Sequence, residues 1–180
     1  MDMPDQNLII IEGQEGAGKS TTVRALTAAI PWSARIDAED VGDVNPWQMD
    51  DAFLHLLWKN VADLTRNFWN AGYRNVIAGS FLTNVNEYRT FRDELDAPAN
   101  VYFIQLCASK ASRDVRRINR EKVSSEEWRD MVDRVDPEDT TFAAENADYQ
   151  FIRIDNDDLT VSDTIERIRQ WAPELFADGQ

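Results

Sequence analysis

The sequence predicts an α/β fold in three layers, a parallel sheet covered by helices on both faces. Three observations lead there. Short apolar, β-branched runs alternate with longer stretches in which apolar residues recur every three or four positions. A glycine-rich stretch, Gly13-Gln14-Glu15-Gly16-Ala17-Gly18-Lys19-Ser20, sits between the first run and the first helical stretch. Helix caps and stops fall where that alternation needs them. At 180 residues the chain suffices for one domain with a real core, expected to span residues 1–180.

The elements follow in order. Leu8-Ile9-Ile10-Ile11 predicts a buried strand, and residues 20–30 a helix stopped by Pro31. Ala34-Arg35-Ile36-Asp37 predicts a second strand, with an acidic loop over 38–43 and a turn at Asn45-Pro46-Trp47. Over 48–71, Phe53, Leu57, Val61, Leu64 and Phe68 form a helical stripe that Leu54 and Trp58 widen, and Gly72 stops it. Residues 75–81 read as a third strand entering a loop. The helix over 84–95 places Val85, Tyr88, Phe91 and Leu95 on one side.

Asn100–Cys107 is a clear fourth strand, and 109–122 a helix dense in arginine. Ser124-Ser125-Glu126-Glu127 reads as a capping box opening another helix, which ends before Pro137. The last strand covers 148–155. Thr160 to Asp163 caps a final helix with Val161, Ile165, Ile168 and Trp171 inward, and the tail beyond Pro173 is expected to be loose.

The glycine stretch fits G-x-x-x-x-G-K-[ST], a phosphate-binding loop. Successive backbone N–H groups in such a loop point inward at phosphate oxygens. The helix that follows adds unpaired amides and the positive end of its dipole. Gly13, Gln14, Glu15, Gly16, Ala17, Gly18, Lys19, Ser20 and Thr21 are therefore the expected nucleotide-binding residues. Lys19 would place a cation near the outer phosphates, and the Ser20 hydroxyl would ligate Mg2+.

Composition narrows the partners. The net charge of -14 argues against general affinity for nucleic acid or anionic membranes. No apolar run approaches a membrane span, and the acidic N-terminus lacks a signal peptide's pattern. The single cysteine, Cys107, forms no internal disulfide and reads as a small core residue. These features predict a cytoplasmic protein.

Parallel sheets bind ligands at the carboxyl ends of their strands. The second strand ends at Asp37, with Glu39 and Asp40 close behind. In an extended segment residues 37 and 39 point to one side, so one carboxylate would face metal-bound water and the other an acceptor hydroxyl. The bland alternative is an acidic surface loop, and Asp40 is the fallback base. No acid closes the strand ending at Gly79-Ser80, which moves metal support toward Asp37.

Arg113, Arg116, Arg117 and Arg120 crowd one helix. Arg116 and Arg120, four apart, share a face and would clamp a nucleotide. Val115 and Ile118 are expected to pack inward. The alternative is a solvated face paired with acids. His55 reads as structural, and the tryptophans as core or groove wall. Trp47 and Phe81 are candidates to line an acceptor pocket.

Together, Gly13 to Thr21, Asp37-Ala38-Glu39 and Arg116-Arg117-Ile118-Asn119-Arg120 resemble the small P-loop kinases, which include nucleoside monophosphate, shikimate and gluconate kinases. That resemblance implies the P-loop NTPase fold with a five-stranded parallel sheet in the order 2-3-1-4-5. It implies Asp37 on magnesium, Glu39 on the acceptor, and an arginine-bearing lid over about 113–147. The expected activity is transfer of a phosphoryl group from ATP, or GTP, to a small-molecule hydroxyl or phosphate. A nucleotide-dependent switch ATPase and a nucleic-acid-end kinase are the rival readings.

Overall fold

The computed structural model describes residues 6–46, 48–119, 125–143 and 147–177. Five parallel strands form one sheet: β1 (Asn7–Glu12), β2 (Ser33–Asp37), β3 (Asn75–Gly79), β4 (Asn100–Cys107) and β5 (Tyr149–Asp155). Their order is β2-β3-β1-β4-β5, as the resemblance implies. β1 runs between β3 and β4, with Ile9 opposite Ile77 and Tyr102.

The helices are α1 (Lys19–Ala29), α2 (Ala38–Val41), α3 (Asp51–Asn70), α4 (Val85–Leu95), α5 (Lys110–Ile118), α6 (Glu126–Val135) and α7 (Val161–Trp171). Strand pleating sends alternate side chains to opposite layers. Leu8 and Ile10 join the core under α3 and α4. Ile9 and Ile11 join the core under α1 and α7. Leu8 to Ile11 of β1 are thus apolar on both faces and wholly buried, which holds the strand's carboxyl end firmly within the sheet.

The opposite end is pinned by asparagines. Asn7 Nδ2 donates to Asn75 Oδ1 at 2.8 Å, and Asn100 Nδ2 donates to Asn7 Oδ1 at 3.0 Å. Asn75 Nδ2 reaches on to the Pro31 carbonyl at 2.8 Å. The row fixes the register of neighbouring strands where the apolar side chains alone would allow slippage.

Some boundaries differ from expectation. Residues 38–41 are a short helix instead of a loop, because Asp37 accepts from the Glu39 amide and caps it. α6 is capped by Ser125, which accepts from the Trp128 amide. Thr160 and Asp163 do form the reciprocal capping box, but Val161 at its start is exposed, while Ile168 is buried. The tail is not loose through residue 176: Pro173–Phe176 forms a 3-10 turn that buries Leu175, and Tyr102 Oη donates to Glu174 at 2.9 Å. Trp58 and Trp69 lie in the core, whereas Trp32 is exposed at a turn. Among the described residues, no helix is long and apolar enough to cross a membrane.

Asn7→Ala would strand donors and acceptors on Asn75 and Asn100. It is expected to lower stability by about 1–3 kcal/mol in denaturant unfolding.

Candidate functional site

The loop of residues 13–18 leaves β1 under tight constraint. Gly13 has φ +147°, and a Cβ there would lie 2.2 Å from the Leu106 carbonyl oxygen of β4. Gly18 caps α1 in the left-handed region at φ 101° and supplies no side-chain cap. The first amides of α1 are therefore left without a side-chain partner from the cap. Lys19 Nζ folds back to donate to the Gly13 carbonyl at 2.5 Å. Amides, helix dipole and ammonium converge on the mouth of this turn, a setting for a multiply charged anion.

Ser20 and Asp37 line one narrow cleft with Gly79 and Ser80. A hydroxyl and a carboxylate are the oxygen ligands that Mg2+ prefers. Among the described residues, no group of three or more His, Cys, Asp or Glu side chains gathers as a metal cage. Glu39 departs from expectation. It lies on the exposed side of α2, so the same-side geometry of an extended segment does not apply. Asp40 is exposed as well.

The acid that sequence reasoning missed is Glu12, the last residue of β1, only 3% exposed. Its Oε1 accepts from the amides of Phe81 at 3.0 Å and Leu82 at 3.1 Å. Burial pushes its carboxyl up to about 7, against the opposing pull of Lys19 and those two amides. Such a group holds or releases a proton near neutral pH. The signal available in the sequence was an acid closing an apolar strand immediately before the glycine loop.

Glu12 also lines a small cleft with Gln14, Thr83, Gln105 and the segment 136–139. That segment is docked on the loop: Asp136 Oδ2 accepts from the Glu15 amide at 3.1 Å, and Gln14 Nε2 donates to the Asp136 carbonyl at 2.8 Å. Phe81 does not line this cleft. It is buried in the core against Phe91, and Trp58 Nε1 donates to its carbonyl at 3.1 Å. Trp47 lies outside the described residues.

The arginine helix faces the opposite way from its expected orientation. Val115 and Ile118 are 59% and 58% exposed, while Arg113 and Arg117 are buried. Arg117 pairs with Glu15 of the glycine loop, with Asp114 at 3.1 Å and with Asp133 of α6 at 2.8 Å. Arg113 meets Asp133 at 3.0 Å. Acidic partners, not apolar surface, turn α5 toward the loop. Arg116 points elsewhere, donating to Asn156 Oδ1 at 3.0 Å, the Asn156 carbonyl at 2.8 Å and the Ala17 carbonyl at 3.3 Å. Asn156 Nδ2 also donates to the Ala17 carbonyl, at 2.8 Å. Arg120 lies outside the described residues. His55 is exposed on α3, its ring 5.2 Å from Trp58.

A glycine turn between β1 and α1, in a parallel sheet ordered 2-3-1-4-5, defines the α/β P-loop fold. Within that class the chain has the fold of small P-loop kinases. It is similar to the structure of a sugar kinase from Janibacter sp. HTCC2649, at TM-score 0.69 and 18% identity, over 96% of this chain and 99% of that one. A gluconokinase from Sinorhizobium meliloti 1021 aligns at TM-score 0.64 and 14% identity, over 94% and 95%. The tunicamycin resistance protein of Deinococcus radiodurans aligns at TM-score 0.63 and 18% identity, over 93% and 95%. No protein-family model matches the chain, and no curated protein matches it.

Two outcomes are expected. In the unfolded chain Glu12 has the ordinary value of 4.5, and folding raises it to about 7. The stability from its held proton is full below pH 4.5 and is lost as pH rises through about 7. Glu12→Gln keeps the acceptor for both amides and removes the titration. Across that window the wild type should therefore lose up to about 3 kcal/mol relative to the variant, read by denaturant melts without nucleotide. Separately, Arg117→Ala leaves Asp133 and Glu15 short of a buried cation and should cost about 3 kcal/mol. Val115→Ala should cost less than about 0.5 kcal/mol; the reverse ranking would mean that the helix faces as its apolar residues suggest.

Proposed function

We propose that this chain is a magnesium-dependent small P-loop kinase, moving the terminal phosphoryl group of ATP, or GTP, to a small-molecule acceptor. The observation that carries the reading is the uncapped glycine loop with Lys19 at its mouth, opening beside a buried carboxylate poised near neutrality. The kinase folds it resembles support the same reading.

The loop from Gly13 to Thr21 would hold the triphosphate, its amides on the phosphate oxygens and Lys19 on the outer phosphates. Ser20 and Asp37 would hold Mg2+ with waters. When bound, the metal neutralises charge on the outer phosphates. Arg116, braced on Asn156 and Ala17, would face the nucleotide, and Arg120 would join it from the lid. Glu12 would take the proton from the acceptor hydroxyl, a role for which it is better situated than the exposed Glu39. Glu39 would contact the acceptor from the rim.

The acceptor oxygen then bonds to the terminal phosphorus, the bridging P–O bond breaks, and ADP leaves with that electron pair. The 136–139 segment would limit water at the loop's mouth and so limit wasteful hydrolysis. An enzyme drawing on ATP belongs in the cytoplasm, in keeping with the single unpaired cysteine.

Lys19→Ala is expected to lower acceptor-dependent ADP release by at least about a hundredfold, with circular dichroism and melting temperature retained. Equal turnover in the variant would refute the kinase assignment. Hydrolysis stimulated by a protein partner, and by no small acceptor, would favour a regulatory ATPase instead.

A further inference from the structure

The cleft beside the glycine loop carries information about what it accepts. Two of its lining side chains are almost wholly buried and each keeps an oxygen without a partner. Glu12, 3% exposed, receives both of its hydrogen bonds on Oε1, and Oε2 has none among the described residues. Gln105, 4% exposed, donates through Nε2 to the Asp139 carbonyl at 2.5 Å. That bond fixes the amide's orientation, because a carbonyl requires a donor, and it leaves Oε1 without a partner among the described residues.

Both groups line the cleft, and both are acceptors when Glu12 is ionised. Acceptors left open at the wall of a cleft take donors from what enters it, water or ligand. The remaining charges agree. Asp136, Glu138 and Asp139 complete the wall, and among the described residues no lysine or arginine lines it. Nearby cations are engaged elsewhere: Arg153 holds Glu138, Arg117 holds Glu15 and Asp133, and Lys19 lies on the loop.

Carboxylates and phosphates offer acceptors and negative charge, and their recognition asks for guanidinium or ammonium forks. This wall offers neither. Hydroxyl and ammonium groups offer N–H and O–H donors and meet no repulsion. The acidity is not a mere reflection of the chain's overall charge, since the two decisive groups are buried, and one of them, Gln105, is neutral.

We infer that the phosphoryl acceptor is a hydroxyl-rich molecule without negative charge, a neutral or amine-bearing sugar or polyol, and not a carboxylate- or phosphate-bearing one. The inference rests on the kinase reading above and narrows its acceptor.

The test uses the whole chain with ATP and Mg2+, following ADP release with matched pairs. The pairs are a hexose and its aldonic acid, an amino sugar and its phosphate ester, and a nucleoside and its monophosphate. The uncharged or amine-bearing member of at least one pair is expected to stimulate at least about tenfold more than its anionic counterpart. The amino-sugar pair separates the cationic source from the neutral one. Anionic members matching or exceeding their counterparts would overturn the inference and leave the kinase reading standing. Tight nucleotide binding without stimulation by any member would remove both.

Gln105→Met, close in volume, should raise KM for the preferred acceptor about tenfold while KM for ATP holds. An unchanged acceptor KM in a variant with normal melting would also overturn the inference.

Discussion

The structure depends on one constraint: amides at the start of a helix have no partners within it, and something must satisfy them. Here they belong to α1, and the residue before it is Gly18, which has no side chain to cap them. The rest of the fold keeps that arrangement in place. β1, buried on both faces, delivers the loop to the sheet's carboxyl edge. Close contact between Gly13 and the Leu106 carbonyl of β4 prevents any larger residue at the turn. From the other side, Asn156 after β5 ties down the Ala17 carbonyl. An anion in the turn would satisfy the amides that the fold leaves open.

Around that positive turn lies a ring of acids, and their placement decides what each can do. Glu12 is desolvated at the root of the loop, so its proton is held until near neutrality. Asp37, at the end of β2, is half-buried and committed to capping α2. Glu15 and Asp133 are neutralised by Arg117, which ties the loop to α6. Asp136 sits on the Glu15 amide. A triphosphate entering the loop as proposed would meet this last contact and would compete with Asp136 for the Glu15 amide.

Much of this was legible in the sequence. The glycine loop announces itself, because its backbone demands fix residue types at fixed spacing. Strands and long helices follow from periodicity, as with Tyr88, Phe91 and Leu95 on α4. What stayed hidden depends on partners far along the chain. Glu12 becomes a buried, proton-holding acid only because the backbone of residues 81 and 82 closes over it. The facing of α5 follows from Glu15 and Asp133, so Arg113 and Arg117 point in and Val115 points out, against the rule that apolar residues seek the core. Glu39 was misplaced by a local error: Asp37 begins a helix, which changes the side-chain period from two to 3.6.

Backbone hydrogen exchange across residues 15–20, with Mg2+ and either ATP or adenosine, tests the grip on polyphosphate most directly. Slowed exchange with ATP and none with adenosine is expected, because the phosphates occupy the open amides. Equal exchange in both, or protection by adenosine alone, would contradict a phosphate-holding loop.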